Sequence, residues 1–177
     1  QFVTSDSFAD VTSKYQGQAE VSSALCTDFE WASLHDMLMT QPLFNMPIFA
    51  LYSPDEAQAG VIALPRGYFL AKAVPELCRQ EEAKKKIRFR YLYCDNTEDC
   101  IDAVRHNKAG RTYINFYETG YYSARHKFDG LRLQSVPGFS QPTGIGVSRN
   151  ADPLLFSIIS RTLRSISSSE LNDLIIS

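Results

Sequence analysis

The stretch NTEDCIDAVRHNKAGRTYINFYETGYY, Asn96 to Tyr122, reads as cap, helix, tight turn, strand and aromatic loop. Asn96 is a good N-cap, Glu98 and Asp99 suit the positive end of a helix, and Ile101, Ala103 and Val104 supply an apolar face. Asn107 tolerates the left-handed conformation that ends a helix. Arg111 to Asn115 follows as a short β-prone run, and its end delivers Asn115, Phe116 and Tyr117 to a loop. In an open α/β sheet such strand ends are where ligands are met.

The same outline occurs earlier, offset by 90 positions. Asp6 answers to Asn96 as a cap, Gly17 to Asn107 at the helix stop, and Val21 to Leu25 to the strand Arg111 to Asn115. Phe2 and Val3 stand opposite Leu92 and Tyr93 in the entering strands. Side-chain identity is low, so the match rests on roles, and any two β-turn-α-turn-β units share this much. A true repeat implies two related α/β lobes and a cleft.

A chain of 177 residues that is 44% hydrophobic can bury a sizeable core, as one domain or two small lobes. A formal charge of -2 and a pI near 5.9 argue against a dedicated nucleic-acid binder. No run approaches the roughly 18 apolar residues of a membrane span. No signal peptide is visible: Gln1 starts inside a strand-like run, so the sequence reads as excised from something longer. There is no P-loop, nucleophile elbow, HExxH or zinc-spaced cysteine pair. His35, His106 and His126 are scattered. Asp28 with Glu30 is the one imaginable acid/base pair, and a carboxylate pair at a helix start is usually electrostatic capping. An enzyme is therefore not expected, nor a cofactor or metal.

Taken in order, the first copy comprises a strand, a helix over Asp6 to Gln16, the Gly17 turn and a strand. Thr27 and Asp28 then cap a short helix holding Phe29, Trp31, Ala32 and Leu34. At helical spacing Trp31 suits a core, although its place after a strand end also suits a ligand platform. Met37 to Ser53 is extended, with Pro42 and Pro47 fitting edge or crossing strands. SPDEAQAG, Ser53 to Gly60, is polar turn material at a lobe boundary. Val61 to Leu64 is a buried strand. Pro65, Arg66 and Gly67 then turn into a helix over Tyr68 to Cys78, where free backbone N–H groups at Gly67 and Tyr68 suit an anionic group. RQEEAKKKIRFR, Arg79 to Arg90, reads as a solvated helix end and the outer face of a half-buried strand. Leu131 to Leu133 and Thr143 to Val147 read as two strands separated by VPGFSQPTG. Asp152 caps a helix with Leu154, Leu155, Ile158, Ile159 and Leu163 on one side, and Ser167 to Glu170 start a last short helix.

In the order of its parts the chain resembles the type II periplasmic binding proteins, specifically the family 3 extracellular solute-binding domains. The segments are GQAEV (Gly17 to Val21), TQPLF (Thr40 to Phe44), VIALPRGYF (Val61 to Phe69), NKAGRTYIN (Asn107 to Asn115) and, most specifically, TGIGVSRNADPLLFSIISRTLRSI (Thr143 to Ile166). The resemblance implies an α/β, two-lobed fold whose first lobe lacks its opening strand and helix. It divides the chain into a partial first lobe (1–48), a crossover (49–60), a second lobe (61–142) and a return strand with C-terminal helices packing back on the first lobe (143–177). Amino-acid binders of the family carry a carboxylate-clamping arginine in the region matching TDFEWASLH, Thr27 to His35, and often an ammonium-binding aspartate at the position of Asn115. This sequence has neither, so a standard amino acid is a doubtful ligand.

Similar domains with a DFEWA-type segment look like the extracytoplasmic sensor halves of bacterial membrane signalling proteins, often diguanylate cyclases or histidine kinases. The implied ligand is a small molecule in the interlobe cleft, held by Thr27, Asp28 and Trp31 from one lobe and by Arg66, Gly67, Tyr68, Asn115 and Tyr117 from the other. The implied partners are a flanking membrane-anchored signalling domain and, as a homodimer, a second copy of the chain. A transport role, with a permease as partner, is the alternative. Cys26, Cys78, Cys94 and Cys100 are an even set, which permits disulfides in an exported domain. Cys94 and Cys100 fall at one sheet edge and Cys78 at the opposite edge. Buried thiols are the expectation ahead of a Cys94–Cys100 bridge.

Overall fold

The computed structural model describes residues 20–67, 69–85, 88–167 and 169–171. The first copy of the proposed repeat, up to the Gly17 turn, lies outside these residues, as does Tyr68. The chain divides into two compact units: residues up to Asn45 together with those from Pro142 onward, and Met46–Gln141.

The second unit is built on β4 (Val61–Pro65), whose five residues are all buried. It pairs in parallel with β5 (Arg90–Cys94), Val61 opposite Arg90 through Pro65 opposite Cys94, and with β6 (Arg111–Asn115), Ala63 opposite Thr112. β6 also pairs antiparallel with β3 (Phe44–Tyr52), giving the order β3-β6-β4-β5. Ile48 to Tyr52 form the ladder with β6. The Ser53 N–H donates to the Gly110 carbonyl at 2.9 Å and its hydroxyl to Asn107 Oδ1 at 2.7 Å.

A strand buried on both faces needs a cover on each. Ile62 and Leu64 point to one core, with Leu70, Val74 and Cys78 of α2 (Phe69–Lys85), Phe89 and Tyr113. Val61 and Ala63 point to the other, with Cys100, Ala103 and Val104 of α3 (Thr97–Arg105). Cys78 thus lies across the sheet from Cys100, on the opposite face, not at an opposite edge. α2 runs on to Lys85 instead of stopping at Cys78, because Arg, Gln, Glu and Lys all favour helix and Glu76 pairs with Arg79 at 2.5 Å. Glu81 on this extension meets the buried Arg111 at 3.0 Å, and the Arg111 guanidinium lies 4.5 Å from the centre of the Phe89 ring. α3 forms as its sequence indicates: Asn96 accepts from the Asp99 N–H at 2.8 Å, and Asn107 is left-handed at φ 54°.

In the first unit, β1 (Val21–Cys26) and β2 (Met37–Met39) flank the C-terminal half of β7 (Arg132–Ser148), both antiparallel to it. α1 (Phe29–Leu34) buries Ala32 against Met39. Two strands were expected where β7 runs unbroken. Pro137 and Pro142 remove only a donor from an extended chain, Gly138 absorbs the local distortion at φ 74°, and Val136 and Phe139, on the part of β7 that belongs to the second unit, pack on that unit's own core. α5 (Pro153–Ser165) starts at the Asp152 cap. Its apolar residues do not form one buried side: Leu155, Ile159 and Leu163 are half-buried, while Leu154 and Ile158 are 67% and 59% exposed.

Two glycines test these packing assignments with opposite signs. A Cβ on Gly110 would stand 2.3 Å from the Gln58 carbonyl oxygen and 2.7 Å from the Ala59 Cα, both backbone, whereas one on Gly120 meets nothing within 4 Å. Gly110→Ala should lower the unfolding free energy by about 1–3 kcal/mol. Gly120→Ala, inside the helix that follows β6, should raise it by roughly 0.5–1 kcal/mol. Urea titration of the two variants checks both.

Candidate functional site

Because β5, β4 and β6 are parallel, their C-terminal ends open on one edge of the second unit's sheet. Carrying the register one step past Pro65–Cys94 and three past Ala63–Thr112 aligns Asp95, Arg66 and Asn115 in a row. The Arg66 N–H donates to the Cys94 carbonyl at 2.9 Å, and its exposed guanidinium reaches the Tyr93 carbonyl at 3.4 Å. Gly67 follows at φ 67° with open space where a Cβ would point, so the chain turns sharply here without covering the edge. α2, α3 and the helix after β6 all begin at this edge and direct their first N–H groups to it.

Asn115, Phe116 and Tyr117 do not enter a loop. Asn115 is the N-cap of α4 (Phe116–Ser123), and Glu118 closes a capping box with it. Asn115 Oδ1 accepts from the Glu118 N–H at 3.0 Å, and Glu118 accepts from the Asn115 N–H at 3.0 Å and from the Thr97 hydroxyl at 2.8 Å. The side chain of Asn115 is thus committed to holding its helix, and Thr97 ties the starts of α3 and α4 together. Burial pushes the Glu118 carboxyl above its ordinary 4.5, against the lowering effect of these two hydrogen bonds. Phe116 and Tyr117, each 46% exposed, present rings beside the row, their centroids 6.0 Å apart, and Phe49 backs Phe116 at 6.4 Å.

The first unit has a matching strand end. Asp28 caps α1 by accepting from the Trp31 N–H at 3.0 Å. Trp31 stacks on His35 with centroids 4.3 Å apart, and His35 Nδ1–H donates to the Trp31 carbonyl at 2.8 Å. The Thr27 N–H donates to the Pro142 carbonyl at 2.8 Å, while the Thr27 hydroxyl is buried without a hydrogen-bond partner. Gly144 faces it: a Cβ there would stand 2.8 Å from Thr27 Oγ1 and 3.0 Å from Thr40 Oγ1. A cavity of about 550 Å³ also opens in this unit, lined by Thr40, Leu43, Phe156, Ser160 and Arg164 among others and not by Thr27, Asp28 or Trp31.

Of the residues singled out in the sequence, Arg66, Gly67, Asn115 and Tyr117 gather at one sheet edge of the second unit, and Thr27, Asp28 and Trp31 at one strand end of the first. Glu118, Thr97 and Phe49 were missed. The spacing of Asn115 and Glu118, three apart, is the signal that exposes the first. Among the described residues no three His, Cys, Asp or Glu side chains form a metal-holding group, and no helix is long and apolar enough to cross a membrane.

No family model matches the sequence, and no curated protein matches it. Solved structures do. The chain is similar to the periplasmic VFT2 domain of Bordetella pertussis BvgS, with 20% identity and a TM-score of 0.76, covering 99% of this chain and 74% of that one. It is also similar to an ancestral arginine-binding protein bound to arginine, with 14% identity, a TM-score of 0.69 and coverage of 98% and 77%. A putative ABC-transporter binding component from Wolinella succinogenes, complexed with lysine, has 11% identity, a TM-score of 0.68 and coverage of 97% and 75%. The chain has the α/β, type II periplasmic-binding-protein-like fold, and it spans about three quarters of each of these domains.

Glu118 offers a check on this edge by pH. Its proton is held more tightly in the folded chain than in the unfolded one, so the folded state loses stability as pH rises above about 4.5. Glu118→Gln keeps a carbonyl acceptor and removes the titration. Relative to that variant, the wild type should lose unfolding free energy as pH increases from 4.5 toward neutrality. Denaturant titrations of both proteins across this range read the difference, and a flat difference would contradict the burial of this carboxyl.

Proposed function

We propose that this chain is an extracytoplasmic ligand-binding domain of a bacterial membrane signalling protein, of the diguanylate cyclase or histidine kinase type. One observation supports the binding reading: Arg66 and Gly67 follow the end of β4 and Asn115 ends its parallel neighbour β6, at the open edge of the sheet, with the exposed rings of Phe116 and Tyr117 next in the chain. Open α/β sheets bind small molecules at such edges, where backbone N–H groups and one or two side chains fix a polar group and rings cover the rest. The Arg66 guanidinium and the Gly67 turn suit a carboxylate or phosphate, and Tyr117 suits an apolar or planar body. In the first unit, Thr27, Asp28 and Trp31 are the corresponding candidates. The DFEWA segment that starts α1 supports the sensor assignment over a carrier. Ligand-shifted populations of two conformations would transmit the signal to a membrane-anchored output domain.

The alternative, a solute-binding component of an ABC transporter for amino acids or related polar solutes, is favoured by the comparison proteins that hold arginine or lysine. Against it, Asn115 is closed into its capping box and supplies no carboxylate for an ammonium group.

A thermal-shift screen of small organic acids, phosphates and amino acids tests the binding reading. A true ligand at a hundredfold excess over its Kd adds about 2.7 kcal/mol and raises Tm by roughly 5–10 °C. Arg66→Ala and Tyr117→Ala should each weaken that ligand by about tenfold or more in calorimetry while leaving the unliganded Tm unchanged. Binding untouched by both substitutions would move the site elsewhere. An amino acid as the best ligand would favour the transport reading.

A further inference from the structure

Cys94 and Cys100 are both thiols in the structure. Cys94 is the last residue of β5, and Cys100 is buried on α3 in the core behind Val61 and Ala63. Cys94 packs against that same core, six residues before Cys100 across the strand-to-helix turn. The connection between them is held at both ends. The Cys94 carbonyl accepts from the Arg66 N–H at 2.9 Å, and Asn96 caps α3 through the Asp99 N–H at 2.8 Å. Strand end and helix start are therefore fixed relative to one another, and both thiols belong to the one core they share. Cys78 is across the sheet, and Cys26 belongs to the first unit.

We infer that Cys94 and Cys100 are a disulfide pair, joined when the chain folds in an oxidising compartment. In the reaction each thiol gives up a proton and an electron, a sulfur–sulfur bond forms, and the disulfide of an exchange partner, a dithiol oxidase or glutathione disulfide, is cleaved to two thiols. Burial pushes both thiols above their ordinary range, Cys100 most of all, so the folded reduced protein holds little thiolate. The bond belongs to the folding chain, before α3 closes over Cys100. Once made, it spans the Asp95–Asn96 turn beside Arg66 and so stiffens one side of the candidate edge. Its occurrence in the cell rests on the extracytoplasmic reading above; the pairing itself does not.

The test is refolding of the reduced, denatured protein in a buffer of oxidised and reduced glutathione, followed by alkylation under denaturing conditions and peptide mapping. The expected result is a Cys94–Cys100 linked peptide with Cys26 and Cys78 alkylated, and a Tm about 5 °C above that of the same protein in dithiothreitol. Cys94→Ala with Cys100→Ala should fold and lose the dithiothreitol-dependent shift. Alkylation at all four cysteines, or linkage through Cys26 or Cys78, would overturn the pairing, and the wild-type map decides this even where the variant fails to fold. Linkage in the glutathione buffer with free thiols in protein isolated from a cell envelope would overturn the location and leave the pairing standing.

Discussion

The second unit depends on β4 having no solvent face. All five of its residues are buried, it is parallel to both neighbours, and its side chains alternate between two cores. Parallel neighbours require crossover connections, and two buried faces require those crossovers to be helices laid on either side. α2 and α3 meet both demands at once: Leu70, Val74 and Cys78 cover Ile62 and Leu64, and Cys100, Ala103 and Val104 cover Val61 and Ala63. The same geometry puts the C-terminal ends of the three parallel strands β4, β5 and β6 on one edge, which is why Asp95, Arg66 and Asn115 line up although they are far apart in sequence. The candidate site follows from how the core is closed.

The first unit uses a smaller version of the same junction. In both units a strand leads to a short polar residue that accepts from the N–H three positions on, Asp28 from Trp31 and Asn115 from Glu118, and an aromatic-rich helix follows. In the first unit Thr27 intervenes between the end of β1 at Cys26 and the cap, whereas β6 runs straight into its cap at Asn115. In the first unit the cap is followed by Trp31 on His35, in the second by Phe116 and Tyr117. The two differ in burial: Phe116 and Tyr117 are about half exposed, whereas Trp31 packs against Ala32 and Met39.

Local signals carried the parts of the fold that local forces decide. Asn96, Glu98, Asp99 and Asn107 mark the ends of α3 unambiguously, and Val61 to Leu64 could only be a buried strand. Where the reading failed, tertiary context or an overlooked pairing had decided. Phe116 and Tyr117 resemble loop residues in the sequence, but the capping box between Asn115 and Glu118 makes them the first turn of a helix. Pro137, Gly138 and Pro142 resembled a break because the pattern cannot show that a long strand tolerates missing donors. The stop expected at Cys78 ignored the strong helix preference of RQEEAKK, and Glu81 on that extension is what meets the buried charge of Arg111. At the candidate edge, residue types were legible, and their register across three strands was not, because register is set by packing across the sheet rather than by sequence spacing.

Amide chemical-shift mapping by NMR, during titration with the best compound from a metabolite screen, addresses the central claim most directly. The account expects saturable shifts concentrated at Arg66, Gly67, Asp95, Asn96 and Asn115 to Tyr117, with a second group at Thr27 to Trp31. Shifts confined to the cavity between Thr40 and Arg164, or absent with every compound at millimolar concentration, would contradict it.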